Sequence, residues 1–164
     1  MNIFEYAMRM EKDGENYYRE LADKCQVEGI KTILTMLADE EVKHYNIIAQ
    51  LQKHAGKSPP ATTTVLGNVK NVFIRMKEEK TEIRFDSSDL EAYRKAMAIE
   101  ELSRKFYLDK AAEVGEEEAK QIFLRLAGEE EKHFRIMENI AEFVARPEPG
   151  NWLENAEWHH LDEY

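Results

Sequence analysis

The sequence predicts an all-α protein, a bundle of four helices with a long crossover between helices 2 and 3. Apolar residues recur every three or four positions along four long stretches, which is the helical period. The second half also repeats the first, because LADEEVKH at 37–44 returns as LAGEEEKH at 126–133. The halves are joined by 55–88, which is far longer than a hairpin needs. Such a connection runs the length of the bundle and makes helices 2 and 3 parallel.

Composition narrows the class of protein. The chain has 164 residues, of which 43% are hydrophobic, and this suits one domain with a real core. Its net charge of −10 argues against nucleic acid and anionic membranes as partners. A single cysteine, Cys25, excludes an intramolecular disulfide and a Cys-x-x-Cys metal site. Apolar runs of about 20 residues and a signal-peptide core are lacking, so we expect a cytoplasmic protein.

Helices 1 and 2 are predicted at 2–24 and 29–54, and a capping-box pattern begins at Asn2. Each carries an apolar stripe that a charged residue interrupts, Glu11 in helix 1 and Glu41 in helix 2. The midpoint of these two positions is 26, inside the break between the helices. In an antiparallel hairpin both carboxylates therefore lie at one level.

The remaining elements follow the same plan. The connection 55–88 contains a Pro-rich breaker and a predicted shorter helix at 65–80. Helices 3 and 4 are predicted at 89–114 and 116–145. We expect one bundle domain over residues 1–146. The aromatic and acidic tail, 147–164, is expected to pack on the bundle or on a partner subunit.

Six residues carry the chemistry. Each half has a glutamate and, 30 residues later, a Glu-x-x-His pair whose side chains share one helix face (41 − 11 = 30; 130 − 100 = 30). With the hairpins face to face, the converging residues are Glu11, Glu41, His44, Glu100, Glu130 and His133. Buried carboxylates are costly unless they are paired or bind metal, and two divalent cations neutralise four of them.

The donor types indicate which metal would bind. Carboxylate oxygens with one imidazole per metal suit iron or manganese, and the absence of thiolates argues against structural zinc. The arrangement suggests Glu11 and Glu100 as terminal ligands and Glu41 and Glu130 as bridges, with one histidine on each metal. The alternative is a buried polar network without metal.

These motifs resemble those of the ferritin-like di-iron carboxylate proteins, and most closely the rubrerythrin-type erythrin domain, over about residues 2–145. The resemblance implies a ferritin-like bundle with two irons, in an Fe–O–Fe or di-ferrous state. Full-length rubrerythrins add an iron centre on four cysteines, so with one cysteine we expect a separate electron-donor protein. They also carry an extra carboxylate where this chain has Ser103, so the ligand switch of their peroxidase activity does not carry over.

Two tyrosines are further candidates. Tyr18 and Tyr107 lie seven residues, or two helical turns, beyond the predicted terminal glutamates. They are candidate catalytic residues that donate hydrogen bonds to the site or carry an oxidising equivalent; the alternative is a pair of core tyrosines. Glu40 and Glu129, which precede the bridging glutamates, are either acceptors for histidine N–H groups or solvated charges.

We therefore predict a non-haem di-iron oxidoreductase that reduces peroxide or dioxygen, or that acts as a ferroxidase with Fe²⁺ as substrate. A ferritin-like iron-storage subunit and a metal-free structural bundle are the alternatives. The expected assembly is a homodimer. The sequence leaves open the native metal, the oxidant, the electron donor and the hydroxylation of an organic substrate.

Overall fold

The computed structural model describes residues 2–54 and 87–145, and over these ranges the chain forms four α-helices and no strand. They are α1 (Ile3–Lys24), α2 (Glu28–His54), α3 (Ser87–Glu113) and α4 (Glu117–Ala145). The predicted all-α four-helix architecture is confirmed. The helix at 65–80, nearly all of the crossover and the tail lie outside the described residues.

Both hairpins are antiparallel, and the directions of the helices follow from two apolar clusters. One cluster joins the end of α1, the beginnings of α2 and α3 and the end of α4, for example Leu21, Ile33, Tyr93 and Ile140. The other joins the beginning of α1, the ends of α2 and α3 and the beginning of α4, for example Ala7, Ile48, Ala111 and Phe123. Because α2 and α3 begin in the same cluster, they are parallel, as the long crossover predicted.

The first helix begins as the sequence predicts. The Glu5 amide donates to Asn2 Oδ1 at 2.8 Å, and the Asn2 amide donates to Glu5 Oε2 at 3.3 Å, which completes the capping box. α1 ends at Lys24, and the next residue, Cys25, caps it with an extended backbone. Within the described ranges, none of the helices is both long and apolar enough to cross a membrane.

Packing is closest within each hairpin, and the hairpins meet where α1 contacts α3 and α2 contacts α4. Between the two apolar clusters, the middle of the bundle holds buried charged side chains. The fold therefore encloses a polar layer between two apolar layers, and this layer contains the candidate site.

Candidate metal centre

All six predicted ligands come together in the polar layer, and each is at most 3% exposed. α1 and α3 each supply one glutamate, and α2 and α4 each supply Glu-x-x-His. Their donor atoms form two groups, in each of which one atom per residue lies within 4.8 Å of the others. The groups are Glu11, Glu41, His44 and Glu130, and Glu41, Glu100, Glu130 and His133.

Membership of these groups separates two kinds of glutamate. Glu41 and Glu130 belong to both groups, which is the placement that bridging ligands require. Glu11 belongs to one group and Glu100 to the other, as terminal ligands would. The structure thus brings the six predicted residues together, while their roles as terminal and bridging ligands stay a prediction.

The histidines contact the carboxylates of the opposite hairpin. His44 Nδ1 lies 3.1 Å from Glu130 Oε1, and His133 Nδ1 lies 3.0 Å from Glu41 Oε1. The imidazole rings are nearly parallel, with centroids 5.4 Å apart. Both Nδ1 atoms therefore face the carboxylates, and Nδ1 is the nitrogen that would bind a metal here.

The tyrosines also connect the two hairpins. The Tyr18 hydroxyl donates to Glu100 Oε1, and the Tyr107 hydroxyl donates to Glu11 Oε1. Burial and the nearby carboxylates, Glu100 for Tyr18 and Glu11 for Tyr107, raise the pKa of each phenol well above its usual value. Both phenols therefore stay protonated and act as donors, so each tyrosine holds one oxygen of a terminal glutamate.

The terminal glutamates are the ionised members of the set. Burial acts to raise the pKa of Glu11, but the His44 cation and the hydrogen bond from Tyr107 help to lower it to about 2. Burial likewise opposes ionisation of Glu100, yet the hydrogen bond from Glu130 and the charge of a histidine leave its pKa below the usual value.

The bridging glutamates behave in the opposite way. Burial, followed by the charges of Glu11 and Glu100, raises the pKa of Glu41 well above its usual value. Burial and the charges of Glu100 and Glu11 also raise the pKa of Glu130 well above its usual value. Burial favours neutral His44, but Glu11 and other nearby carboxylates outweigh it and raise its pKa. Without metal, protons on Glu41, Glu130 and His44 therefore offset most of the negative charge of the four carboxylates.

These residues fit a pair of divalent cations. In the described part of the chain, Glu11 Oε2 and Glu100 Oε2 are buried without a hydrogen-bond partner, and Glu11 Oε2 lies 3.5 Å from His44 Nδ1. Each terminal glutamate thus gives one oxygen to a tyrosine and keeps one available for a metal. A buried unpaired carboxylate oxygen is costly, and a cation would remove that cost. Four carboxylates and two divalent cations also sum to zero charge.

Glu40 and Glu129 are buried, each 5% exposed, so their interpretation as solvated charges is wrong. One oxygen of each accepts from the lysine three residues later at 3.1 Å. A Glu40 oxygen also lies within 4.8 Å of nitrogens of His44 and His133. Glu129 Oε2 and His133 Nε2 are buried without hydrogen-bond partners. Glu40 therefore lies behind the imidazoles, where an N–H acceptor would be needed.

Gly14 is a site residue that the sequence reasoning missed. A Cβ atom at Gly14 would lie 3.1 Å from Glu41 Oε2, so the backbone of α1 packs directly against a predicted bridging carboxylate. The signal available was a glycine on the inner stripe of a helix, one turn beyond Glu11. Its repeat equivalent is Ser103 (103 − 14 = 89), whose hydroxyl donates to the Ile99 carbonyl at 3.0 Å.

The chain is similar to a known protein family. The family model described as Rubrerythrin matches residues 2–141, which include all six converging residues. No curated protein and no solved structure matches the chain.

Proposed function

Because the chain belongs to the rubrerythrin family, we propose that it is a non-haem di-iron oxidoreductase that reduces peroxide or dioxygen. The observation that carries this proposal is the pair of donor groups that share Glu41 and Glu130. The family implies metal binding, typically of iron, and the buried glutamates and histidines suit that metal. Manganese is the alternative that the same donors accept.

Two irons at this site would supply one electron each, and reductive cleavage of a peroxide O–O bond consumes two electrons and two protons. The protein's part is to hold the donor atoms and to control charge. Glu41, Glu130 and His44 would give up their protons as two divalent cations bind, so that four carboxylates and two cations leave no net charge. Tyr18 and Tyr107 fix the orientation of the terminal glutamates through their hydroxyls.

Two further features of the chain support redox chemistry at this position. Apolar clusters lie on both sides of the polar layer along the bundle axis and keep water from reaching it through either end of the described bundle. The phenol groups of Tyr18 and Tyr107 also contact the predicted terminal ligands, where they are placed to pass a proton or an electron to the site.

The source of electrons is also part of the proposal. Cys25 is the one cysteine of this sequence, so its 164 residues do not provide the four thiolates of a rubredoxin-type centre. We assign the reducing equivalents to a separate donor protein, or to Fe²⁺ itself if the protein acts as a ferroxidase. We also propose that the enzyme is cytoplasmic and that it forms a homodimer.

Stopped-flow spectroscopy tests the activity. Protein loaded anaerobically with Fe²⁺ is mixed with hydrogen peroxide in one experiment and with dioxygen in another. We expect oxidation of the bound iron by at least one of them, and the faster oxidant identifies the activity as peroxidase or as oxidase and ferroxidase. Tyr18→Phe and Tyr107→Phe should each slow this reaction. The control Tyr6→Phe changes an exposed tyrosine of α1 and should leave the rate unchanged. Iron that stays ferrous with both oxidants would refute the proposal.

A further inference from the structure

The candidate metal centre is buried, but a cavity of 410 Å³ connects it to the surface of the α1–α2 hairpin. Glu11 and Glu41, which are 1% and 3% exposed, line its inner part. Lys12, Tyr45 and Asn46 line its outer part and are exposed to solvent. The cavity therefore joins solvent to one predicted terminal ligand and one predicted bridging ligand.

Oxygen donors occur along this cavity. Glu15, which is 9% exposed, lines it between the surface and the buried carboxylates, one helical turn from Glu11. Lys12 Nζ lies 2.7 Å from one Glu15 oxygen, and Arg19 lies 3.0 Å from the other. The side chains of these two cations are 59% and 42% exposed, and such exposed ion pairs contribute little energy, so an incoming cation can displace them from Glu15. Glu11 lines the inner end of the cavity, and its Oε2 atom is buried beyond it, 3.5 Å from His44 Nδ1.

The internal repeat allows a comparison with the other hairpin. The residue equivalent to Glu15 is Arg104 (104 − 15 = 89), and the residue equivalent to Asn46 is Arg135 (135 − 46 = 89). Each outer face holds an ion pair of the same spacing, Lys12 with Glu15 on α1 and Glu101 with Arg104 on α3, and Arg135 pairs with Glu138 on α4. The two hairpins thus supply the same ligands, but a carboxylate and an amide line the α1–α2 cavity at positions where the other hairpin has guanidinium groups.

We propose that divalent metal cations reach the site through the α1–α2 cavity, with Glu15 and Asn46 as transient oxygen donors on the way. This inference rests on the proposed function only in that the destination is the di-metal site. The cavity sets how fast the site fills, and the six buried residues set how much metal it holds. Changes at the cavity should therefore alter the rate of metal uptake and leave its final amount unchanged.

The test measures uptake of Co²⁺ by the metal-free protein, followed by its visible absorption in a stopped-flow instrument. Asn46→Trp places a large ring at the outer end of the cavity, and we expect uptake to slow by at least about tenfold. Its matched control is Gln50→Trp, one turn further along α2 at an exposed position outside the cavity lining, which should load at the wild-type rate. Thermal unfolding of both variants verifies that they are folded.

A second pair of variants tests charge. Glu15→Gln keeps the volume and removes one negative charge, so uptake should slow by about fivefold, as expected when electrostatic attraction along a path is weakened. The control is Glu101→Gln, which breaks an equivalent ion pair with Arg104 on the other hairpin and should have no effect. The final Co²⁺ content should be that of the wild type in all four variants.

Three results would overturn the inference: wild-type uptake rates in Asn46→Trp and Glu15→Gln, equal slowing in the controls, or slowing of peroxide oxidation alone. The last result would assign the cavity to the oxidant. Failure of the proposed function would give a different result. The protein would fill its site through this cavity but react with neither peroxide nor dioxygen, which would support the inference and refute the enzymatic activity.

Discussion

Binding of metal at this site should release protons and weaken steeply as the pH falls. Burial and the charges of Glu11 and Glu100 raise the pKa of Glu41 and Glu130 well above the usual value, so the metal-free site favours the protonated form of both. A cation requires the ionised carboxylates and therefore displaces these protons. Each displaced proton changes the apparent affinity tenfold per pH unit, or about 1.4 kcal/mol. For two carboxyl protons, the product of the two binding constants should fall about 100-fold per pH unit.

Isothermal titration calorimetry with Mn²⁺ measures this effect directly. Titrations at pH 6.0, 6.5, 7.0 and 7.5 give the pH dependence of the affinity. Repeating each one in two buffers with different ionisation enthalpies gives the number of protons released. We expect about two protons per pair of cations from the glutamates, and up to one more below the raised pKa of His44. Binding that is independent of pH and releases no protons would refute this account of the charge balance.

Three other predictions concern the pH dependence of stability, Gly14 and the two buried tyrosines. The metal-free protein should lose stability as the pH rises above 4.5, because the pKa of Glu41 and Glu130 in the folded state lies well above the unfolded value of 4.5. Stabilisation that is complete below pH 4.5 is then lost on approach to the folded pKa. Thermal unfolding at several pH values tests this, and a rise in stability would contradict it. Gly14→Ala should weaken Mn²⁺ binding, because its Cβ would lie 3.1 Å from Glu41 Oε2 and would displace that carboxylate. The same change should stabilise the helix itself by about 1 kcal/mol, since alanine has the higher helix propensity. Wild-type affinity in calorimetry would count against close packing here. Tyr18→Phe and Tyr107→Phe should each cost about 1.5–3 kcal/mol of unfolding free energy in urea, since each removes a hydrogen bond to a buried carboxylate, and a loss below about 0.5 kcal/mol would show that the bond contributes little.

Much of this fold was readable from the internal repeat. The offset of 89 residues identified two copies of one hairpin, and helical periodicity placed Glu11, Glu41 and their equivalents on the inner face of each helix. The length of the connection indicated that helices 2 and 3 are parallel. These predictions depend on local periodicity and chain length, which the sequence contains directly.

The contacts between the two hairpins could not be predicted from the sequence. Periodicity indicates that Tyr18 faces inward, but its contact with Glu100 rather than with a core residue depends on the axial register of the two hairpins. That register is set by the packing of many side chains across the bundle. The burial of Glu40 and the close approach of Gly14 to a carboxylate have the same origin, since neither follows from the pattern of one helix.

Metal content tests the central claim most directly. Protein reconstituted anaerobically with Fe²⁺ and freed of excess metal is analysed by mass spectrometry, as wild type, as the Glu41→Ala and Glu130→Ala double variant, and as Glu131→Ala. Glu131 is the control because it follows Glu130 in the chain but belongs to neither donor group. We predict about two irons per chain in the wild type and in Glu131→Ala, and loss of both in the double variant, since both donor groups share the mutated residues. Wild-type protein without stoichiometric iron or manganese would contradict the claim and leave a metal-free bundle.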